Sequence, residues 1–372
     1  MKKINLLTKA CFIFIGFVLL FFSCKKDFTS SNSESTELKL KSSPLSVNAS
    51  ITYFSPATGL YYPGNNVTSK LKFKNTGTQT WTFWVGYSVQ NKCGIWYDVL
   101  SNSVTLSPGQ TSSLQSKSWV VPSDPNVISE LYAVKMAIWK TKPENGGATL
   151  LDYKQQNNSF SAFNFIDEFN SFNTIRWVKQ NHTTPGFGSF LPENITTTGG
   201  SLLIKYPKNT KNGGEIYTKN PYKYKYGTFK AKIKCPQLPG TITTLFTYQG
   251  PDYGDEIDIE IWNNGSKKVE FTIYKYEISS VTHNFVYNNP NTILSFDPSN
   301  GYHEYRIDFY PDKISWWIDG VQKDYTTNQS YFPTHTMDIR VNGWWPNWTK
   351  PGWTNSNPVS TDKYAYYSWV QH

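Results

Sequence analysis

Residues 256–260 read Glu-Ile-Asp-Ile-Glu. In a β-strand alternate side chains share a face, so Glu256, Asp258 and Glu260 project one way and Ile257 and Ile259 the other. Burying the isoleucines aims three carboxylates into something open, most simply a cleft. Like charges side by side repel, so at least one of these acids should hold its proton above the ordinary range. One carboxylate kept ionised beside one kept protonated is the pairing that cleaves glycosidic bonds. The Cα atoms of Glu256 and Glu260 should lie about 13 Å apart at ~3.3 Å per residue, which lets the carboxyls lean to about 5–6 Å. Retaining glycosidases need about 5–5.5 Å and inverting ones about 6.5–9.5 Å. The spacing favours retention. Asp258, between the two, can hydrogen-bond either. The competing account is a solvated acidic edge strand, and the flanking sequence weighs against it.

The elements that must carry this strand are β-strands. Aromatic residues make up 17% of the 372-residue chain, Gly and Pro recur, and long helical periodicity is missing. The pattern reads as all-β with many loops. Flat rings also suit stacking on sugars, although core packing accounts for most aromatics in most proteins. The net charge of +9 does not point to nucleic acid. Residues 163–372 are nearly balanced, no Arg cluster occurs, and the basic excess lies upstream.

At the start, Lys2 and Lys3 precede an apolar run from Ala10 to Phe22, followed by Ser23-Cys24. The run is shorter than the roughly 20 residues of a membrane span, so it reads as a targeting segment. Leu20-Phe21-Phe22-Ser23-Cys24 resembles a bacterial lipoprotein signal, with a small residue before the cysteine that takes the lipid. The usual aliphatic residue three before the cysteine is replaced by Phe21, with Leu20 one earlier. The resemblance implies a leader over 1–23, lipidation of Cys24, and an exported protein at the outer membrane or cell surface, held to the membrane by that lipid alone. An ordinary secretory signal, and a free secreted protein, is the alternative. Residues 24–46, rich in Ser and Lys, read as a flexible tether. Cys93 and Cys235 remain. With no CxxC pair or Cys/His cluster, neither a zinc site nor a disulfide is expected.

Two β domains are expected after the tether. Over 47–160, short alternating strands at Ser69–Lys74, Trp81–Val89 and Tyr132–Trp139 are separated by turn residues such as Asn75-Thr76-Gly77 and Ser107-Pro108-Gly109. That spacing indicates a β-sandwich. The stretch resembles immunoglobulin-like modules appended to bacterial polysaccharide-degrading enzymes. Trp81, Trp84 and Trp96 could form a sugar platform, but core or spacer roles are favoured.

Residues 161–372 hold a series of motifs in order. Phe163 to Phe169 opens it, then Gly213-Gly214-Glu215-Ile216-Tyr217-Thr218, Tyr226-Gly227-Thr228-Phe229, Leu245-Phe246-Thr247-Tyr248 and Asp255 to Glu260. Tyr302-His303-Glu304-Tyr305, Trp316-Trp317-Ile318-Asp319-Gly320 and Tyr366-Tyr367-Ser368-Trp369-Val370 complete it. In this order they resemble glycoside hydrolase family 16, closest to bacterial lichenases and related to xyloglucan-active transglycosylases. The resemblance implies a concanavalin-like β-jelly roll, two curved antiparallel sheets with a cleft on the concave face. It implies Glu256 as nucleophile, Glu260 as general acid/base, and Asp258 as the residue that holds and tunes the nucleophile. Glu215, Phe246, Tyr248, Tyr274, Asn342 and Trp344 match substrate-contacting positions. Trp345, Trp348 and Trp353 are placed to extend an aromatic platform. His303 is expected to be structural.

The motif lacks the extra residue that family members acting on many β-1,3-glucans and algal galactans insert before the last Glu. That points to β-1,4 bonds in a mixed-linkage or related β-glucan. There are departures. Tyr217 stands where lichenases often carry Arg, Thr272 replaces a usual Asn, and Ile261-Trp262-Asn263 replaces Phe-Leu-Gly, so Trp262 is expected to reshape a subsite. Ser368 stands where lichenases place a calcium-binding Asp, which counts against that structural calcium; no cofactor is otherwise required. A monomer acting on a polysaccharide is the expectation. The competing functions are a transglycosylase on the same site, acting on xyloglucan or another glucan, a β-1,3-glucan or algal galactan hydrolase, and a non-catalytic lectin-like binder. Intact carboxylates argue against the last.

Overall fold

The computed structural model describes residues 44–123, 129–249, 254–276, 285–354 and 356–372. The leader and Cys24 lie outside the described residues. Residues Pro44–His372 form one compact unit. Among the described residues it contains two large hydrophobic cores, each between two β-sheets, and a small third cluster of Ile242, Trp262 and Trp353.

The first core lies between a three-stranded sheet (Ala49–Ser55, Asn66–Asn75, Gln115–Val120) and a five-stranded sheet (Gly59–Tyr61, Leu150–Ala162, Glu130–Trp139, Trp81–Gln90, Trp96–Leu106). The period of two is visible in the burial. Val67, Leu71 and Phe73 face inward from one sheet, and Phe83, Val85, Tyr87 and Val89 from the other. The tryptophans divide. Trp81 packs against the core and its Nε1 donates to the Lys140 carbonyl at 2.8 Å. Trp84 and Trp96 point outward, and lysine ammoniums of Lys142 and Lys135 lie over their rings at 5.5 and 5.6 Å. The polar run Gln155–Ser159 is strand, part of Leu150–Ala162.

The second core, Phe165 to Val370, separates a seven-stranded sheet from an eight-stranded one. In spatial order the seven-stranded sheet is Trp177–Lys179, Gly214–Thr218, Asp338–Trp344, Ile242–Tyr248, Glu256–Trp262, Lys268–Tyr274 and Tyr287–Ile293. The other sheet runs Ile195–Thr198, Ser201–Tyr206, Lys363–Gln371, Gly227–Lys234, His303–Tyr310, Lys313–Ile318 and Val321–Thr326, with Ile166–Asp167 paired to Lys363–Gln371. Both are antiparallel throughout. This is the β-jelly-roll sandwich that the motif order implies. The outer sheet seals one face of the inner core, which frees the other face of the seven-stranded sheet for chemistry.

The two sandwiches meet at a polar seam. Phe163 N donates to the Tyr61 carbonyl at 3.1 Å, and Thr228 N to the Ser129 carbonyl at 2.8 Å. The buried His372 ring accepts at Nδ1 from Asn164 Nδ2 at 3.0 Å, with Ser129 Oγ at 3.1 Å. Its Nε2 faces the Tyr226 carbonyl at 3.3 Å, so that nitrogen carries the hydrogen. Burial pushes the imidazole down to about 3, which keeps it neutral. Glu130 accepts from Lys92 N at 2.5 Å while burial pushes its carboxyl up to about 8. Cys93 belongs to the first sandwich and Cys235 to the second, both as free thiols.

Candidate active site

The acidic strand Glu256–Trp262 is central in its sheet. Ile242–Tyr248 pairs on one side and Lys268–Tyr274 on the other. Ile257, Ile259 and Ile261 are fully buried in the core. Their burial turns Glu256, Asp258 and Glu260 to the opposite face, as the alternation predicts. Asp258 is buried, whereas Glu256 and Glu260 keep part of their surface in the cleft. A one-residue slip would bury the acids and expose the isoleucines, so the hydrophobic core itself sets the register.

Asp258 lies opposite Phe246 and Thr272. The Thr272 hydroxyl donates to its Oδ2. Asp258 and Glu256 also share a hydrogen bond, which raises Asp258 and lowers Glu256. Of the two, Asp258 is favoured as the acid and Glu256 as the one to ionise first. Glu256 is still pushed up to about 8, by burial first and then by the Glu260 and Glu215 charges, against the Asp258 bond and the Arg340 guanidinium. Glu260 is held well above the usual carboxylate range by burial and by Asp258 and Glu270, with Lys350 pulling the other way. All three carboxyls are thus held above the ordinary range, and Glu256 is the one whose ionisation its neighbours Asp258 and Arg340 favour. Such a set can attack a carbon with one oxygen and protonate a leaving oxygen with another.

The acids open into a cleft of about 610 Å³. Glu215, Phe246, Tyr248, Asn342 and Trp344 line it with the acidic trio, as the motifs anticipate. Gln180, His182, Phe190, Tyr217, Lys223, Asp338 and Arg340 line it too and were not singled out as contacts. Arg340 is the most consequential. It donates to Glu215 Oε1 at 2.9 Å and to Asp338 Oδ2 at 3.1 Å, and its guanidinium lies 5.0 Å from the Tyr217 ring and 4.6 Å from that of Tyr248. Asn342 Nδ2 occupies the other Glu215 oxygen at 2.9 Å, and Thr244 Oγ1 donates to Asn342 Oδ1 at 2.6 Å. Arg340 stands directly across from Tyr217 in the sheet. An arginine thus reaches this end of the cleft although position 217 lacks one. The signal was in the sequence: Asp338, Arg340, Asn342 and Trp344 alternate with Ile339, Val341 and Gly343.

Two expected contacts are placed differently. Trp262 shares the cleft face but is buried beneath the loop after Trp344, against Trp353 at 5.2 Å and Trp348 at 6.0 Å. It supports a platform and is not its surface, because the loop tryptophans fill the space above it. Tyr274 pairs with Glu256 across the sheet and packs edge-on to Phe285 at 6.3 Å, outside the cleft lining. Among the loop tryptophans, Trp345 is buried in the second core, while Trp348 keeps partial exposure beside Trp344 at 6.4 Å. His303 lies in the outer sheet, stacked on Phe296 at 3.5 Å and bonded to Asp319 at 2.6 Å, a structural role. Among the described residues no group of three or more His, Cys, Asp or Glu could hold a metal ion.

The model of the glycosyl hydrolases family 16 matches residues 189–366, a span that includes every cleft residue except Gln180, His182 and Pro185. The β-glucanase of Bacillus subtilis is 31% identical over 218 residues, covering 56% of this chain and 85% of that protein. The β-glucanase of Paenibacillus polymyxa is 30% identical over 225 residues, covering 58% and 89%. The solved Bacillus licheniformis β-glucanase is 28% identical, covers 56% of this chain and 96% of its own, and superposes with a TM-score of 0.49.

Proposed function

The chain belongs to family 16 of the glycosyl hydrolases and is a glycoside hydrolase, and we propose that it is a retaining endo-β-glucanase that cuts β-1,4 bonds of a mixed-linkage β-1,3-1,4-glucan. The observation that carries this reading is that Glu256, Asp258 and Glu260 share one face of a single strand and line the cleft together, with the intervening isoleucines buried on the other. A carboxyl whose ionisation its neighbours favour and an acid held protonated, four residues apart, suit double displacement.

In the first step Glu260 gives its proton to the glycosidic oxygen as a Glu256 oxygen attacks the anomeric carbon. The C–O bond to the leaving sugar breaks and a glycosyl ester of Glu256 forms. Esterification removes the Glu256 charge, so Glu260, now ionised, is easier to keep as a base. It takes a proton from water, and the oxygen of that water displaces Glu256. Two inversions return the β configuration. Asp258 donates to Glu256 in the free enzyme and holds its carboxylate in line for attack. Phe246, Tyr248 and Trp344 offer ring faces to the sugars, and the Glu215–Asn342–Arg340 group offers fixed polar atoms.

The choice of mixed-linkage glucan rests on the unbulged motif and on the β-glucanase relatives. We further propose, from the leader pattern, that the enzyme works outside the cytoplasm, tethered through Cys24. To test the activity, residues 44–372 are incubated with barley mixed-linkage glucan, xyloglucan, laminarin, carrageenan and agarose, and reducing ends are counted beside Glu256→Gln. Release from mixed-linkage glucan, lost in the variant and giving β-anomers first by NMR, is the expected result. Release only from laminarin or a galactan would overturn the substrate, and α-anomers would overturn retention.

A further inference from the structure

A fourth carboxylate stands beside the acidic trio. Glu270 lies directly across from Glu260 in the sheet, on the same face. It is buried, and a buried carboxylate must be paired. Lys350 Nζ meets its Oε1 at 2.6 Å and Asn288 Nδ2 meets the same oxygen at 2.5 Å. Oε2 has no hydrogen-bond partner among the described residues. Lys350 comes from the loop after Trp344, keeps about a third of its side chain exposed, and lies over the Trp348 ring at 3.9 Å. An ion pair with one orphaned oxygen is a poor device for stability alone, since apolar packing of the same volume would do as well.

We propose that Glu270 and Lys350 are positioning residues for Glu260, an ion pair whose negative end favours the proton before bond cleavage and whose positive end stabilises the carboxylate left after it. The proposal rests on Glu260 as the acid/base. The charged groups facing Glu260 are Asp258 and Glu256 on its own strand, Glu270 on the next strand, and Lys350 from the loop. The strand on the other side contributes the uncharged Thr244. Glu270 pushes Glu260 up and Lys350 pulls it down.

The test is the pH dependence of kcat/KM on barley mixed-linkage glucan, measured on the full chain. Its alkaline limb reports loss of the Glu260 proton. Glu270→Gln removes the negative neighbour, and the limb should move down by about half to one pH unit. Lys350→Met removes the positive neighbour, and the limb should move up by about as much. The double variant should return near the wild-type limb, and Lys350→Arg should leave it in place. Lys350 sits on a partly exposed loop, so its variants report even where Glu270→Gln folds poorly. A limb unmoved in Lys350→Met, or moved the same way by both single changes, would overturn the proposal. The Glu260→Gln enzyme separates the two readings. If it still cleaves glucan, the assignment of Glu260 itself fails; if it is inactive and the limbs do not move, only the ion-pair proposal fails.

Discussion

Arg340 donates to Glu215 across the pairing of two neighbouring strands, and with Asn342 it occupies both oxygens of that carboxylate. Glu215 is therefore clamped before any sugar arrives, and the clamp is nearly buried. Clamping removes the entropy that a free glutamate would lose on binding. Arg340→Met should leave Glu215 with only the Asn342 amide and Asp338 with only the Lys223 ammonium at 3.7 Å. Breaking a buried pair costs about 3–5 kcal/mol. Thermal melts should show the loss, and KM for glucan should rise more than kcat falls. A melt and KM like wild type would show that the clamp is idle.

Asp258 donates to Glu256, so its replacement should act through the nucleophile. Asp258→Ala removes the donor and makes Glu256 harder to ionise. The acidic limb of kcat/KM should then move to higher pH, with kcat reduced about 10–100-fold. Asp258→Asn keeps an N–H donor and should leave the limb closer to wild type. Identical limbs in both variants would show that the donated hydrogen bond does not set Glu256 ionisation.

The seam between the sandwiches should give stability an optimum in pH. Glu130 is pushed from an ordinary 4.5 up to about 8, so the folded state binds more protons between those values. Its stability contribution is full below 4.5 and is lost as pH rises toward 8. His372 is pushed from 6.5 down to about 3, so the folded state binds fewer protons there. Its contribution is full above 6.5 and is lost as pH falls toward 3. The two slopes offset between about 4.5 and 6.5. The raised cleft carboxylates add to the Glu130 slope and outweigh His372, so melting temperature should fall as pH rises above about 4.5 and fall again in stronger acid. The cleft carboxylates slope with Glu130, so Glu130→Gln should reduce the alkaline fall without abolishing it.

Trp262 and Trp344 should separate packing from sugar contact. Trp262→Ala opens a cavity under Trp348 and Trp353 and should cost about 3–5 kcal/mol. Trp344 lines the cleft, so Trp344→Ala should raise KM with a smaller change in melting temperature. Reversed effects would place Trp262, and not Trp344, against the substrate.

Much of this was legible in one dimension. The alternation of acids with isoleucines determined which side chains face the cleft, because burying Ile257, Ile259 and Ile261 leaves the carboxylates a single direction. The same period of two was available at Asp338–Trp344, and Arg340 could have been found from it. Trp262 follows the period too, yet its exposure depends on a loop that arrives from about ninety residues downstream, where no local pattern speaks.

The sequence by itself determined the chemistry: three carboxylates on one strand, a β-sandwich to hold them, and turn residues to close it. These follow from local sterics and from hydrophobic alternation, which act within a few residues. Only the tertiary structure decided which acid takes the charge. That depends on Thr272, Arg340, Glu270 and Lys350, brought beside the acidic strand by pairing and loop packing. Electrostatic energy falls with distance in space and takes no account of distance along the chain. Neighbours separated by up to about ninety residues therefore set what the pentapeptide alone leaves open.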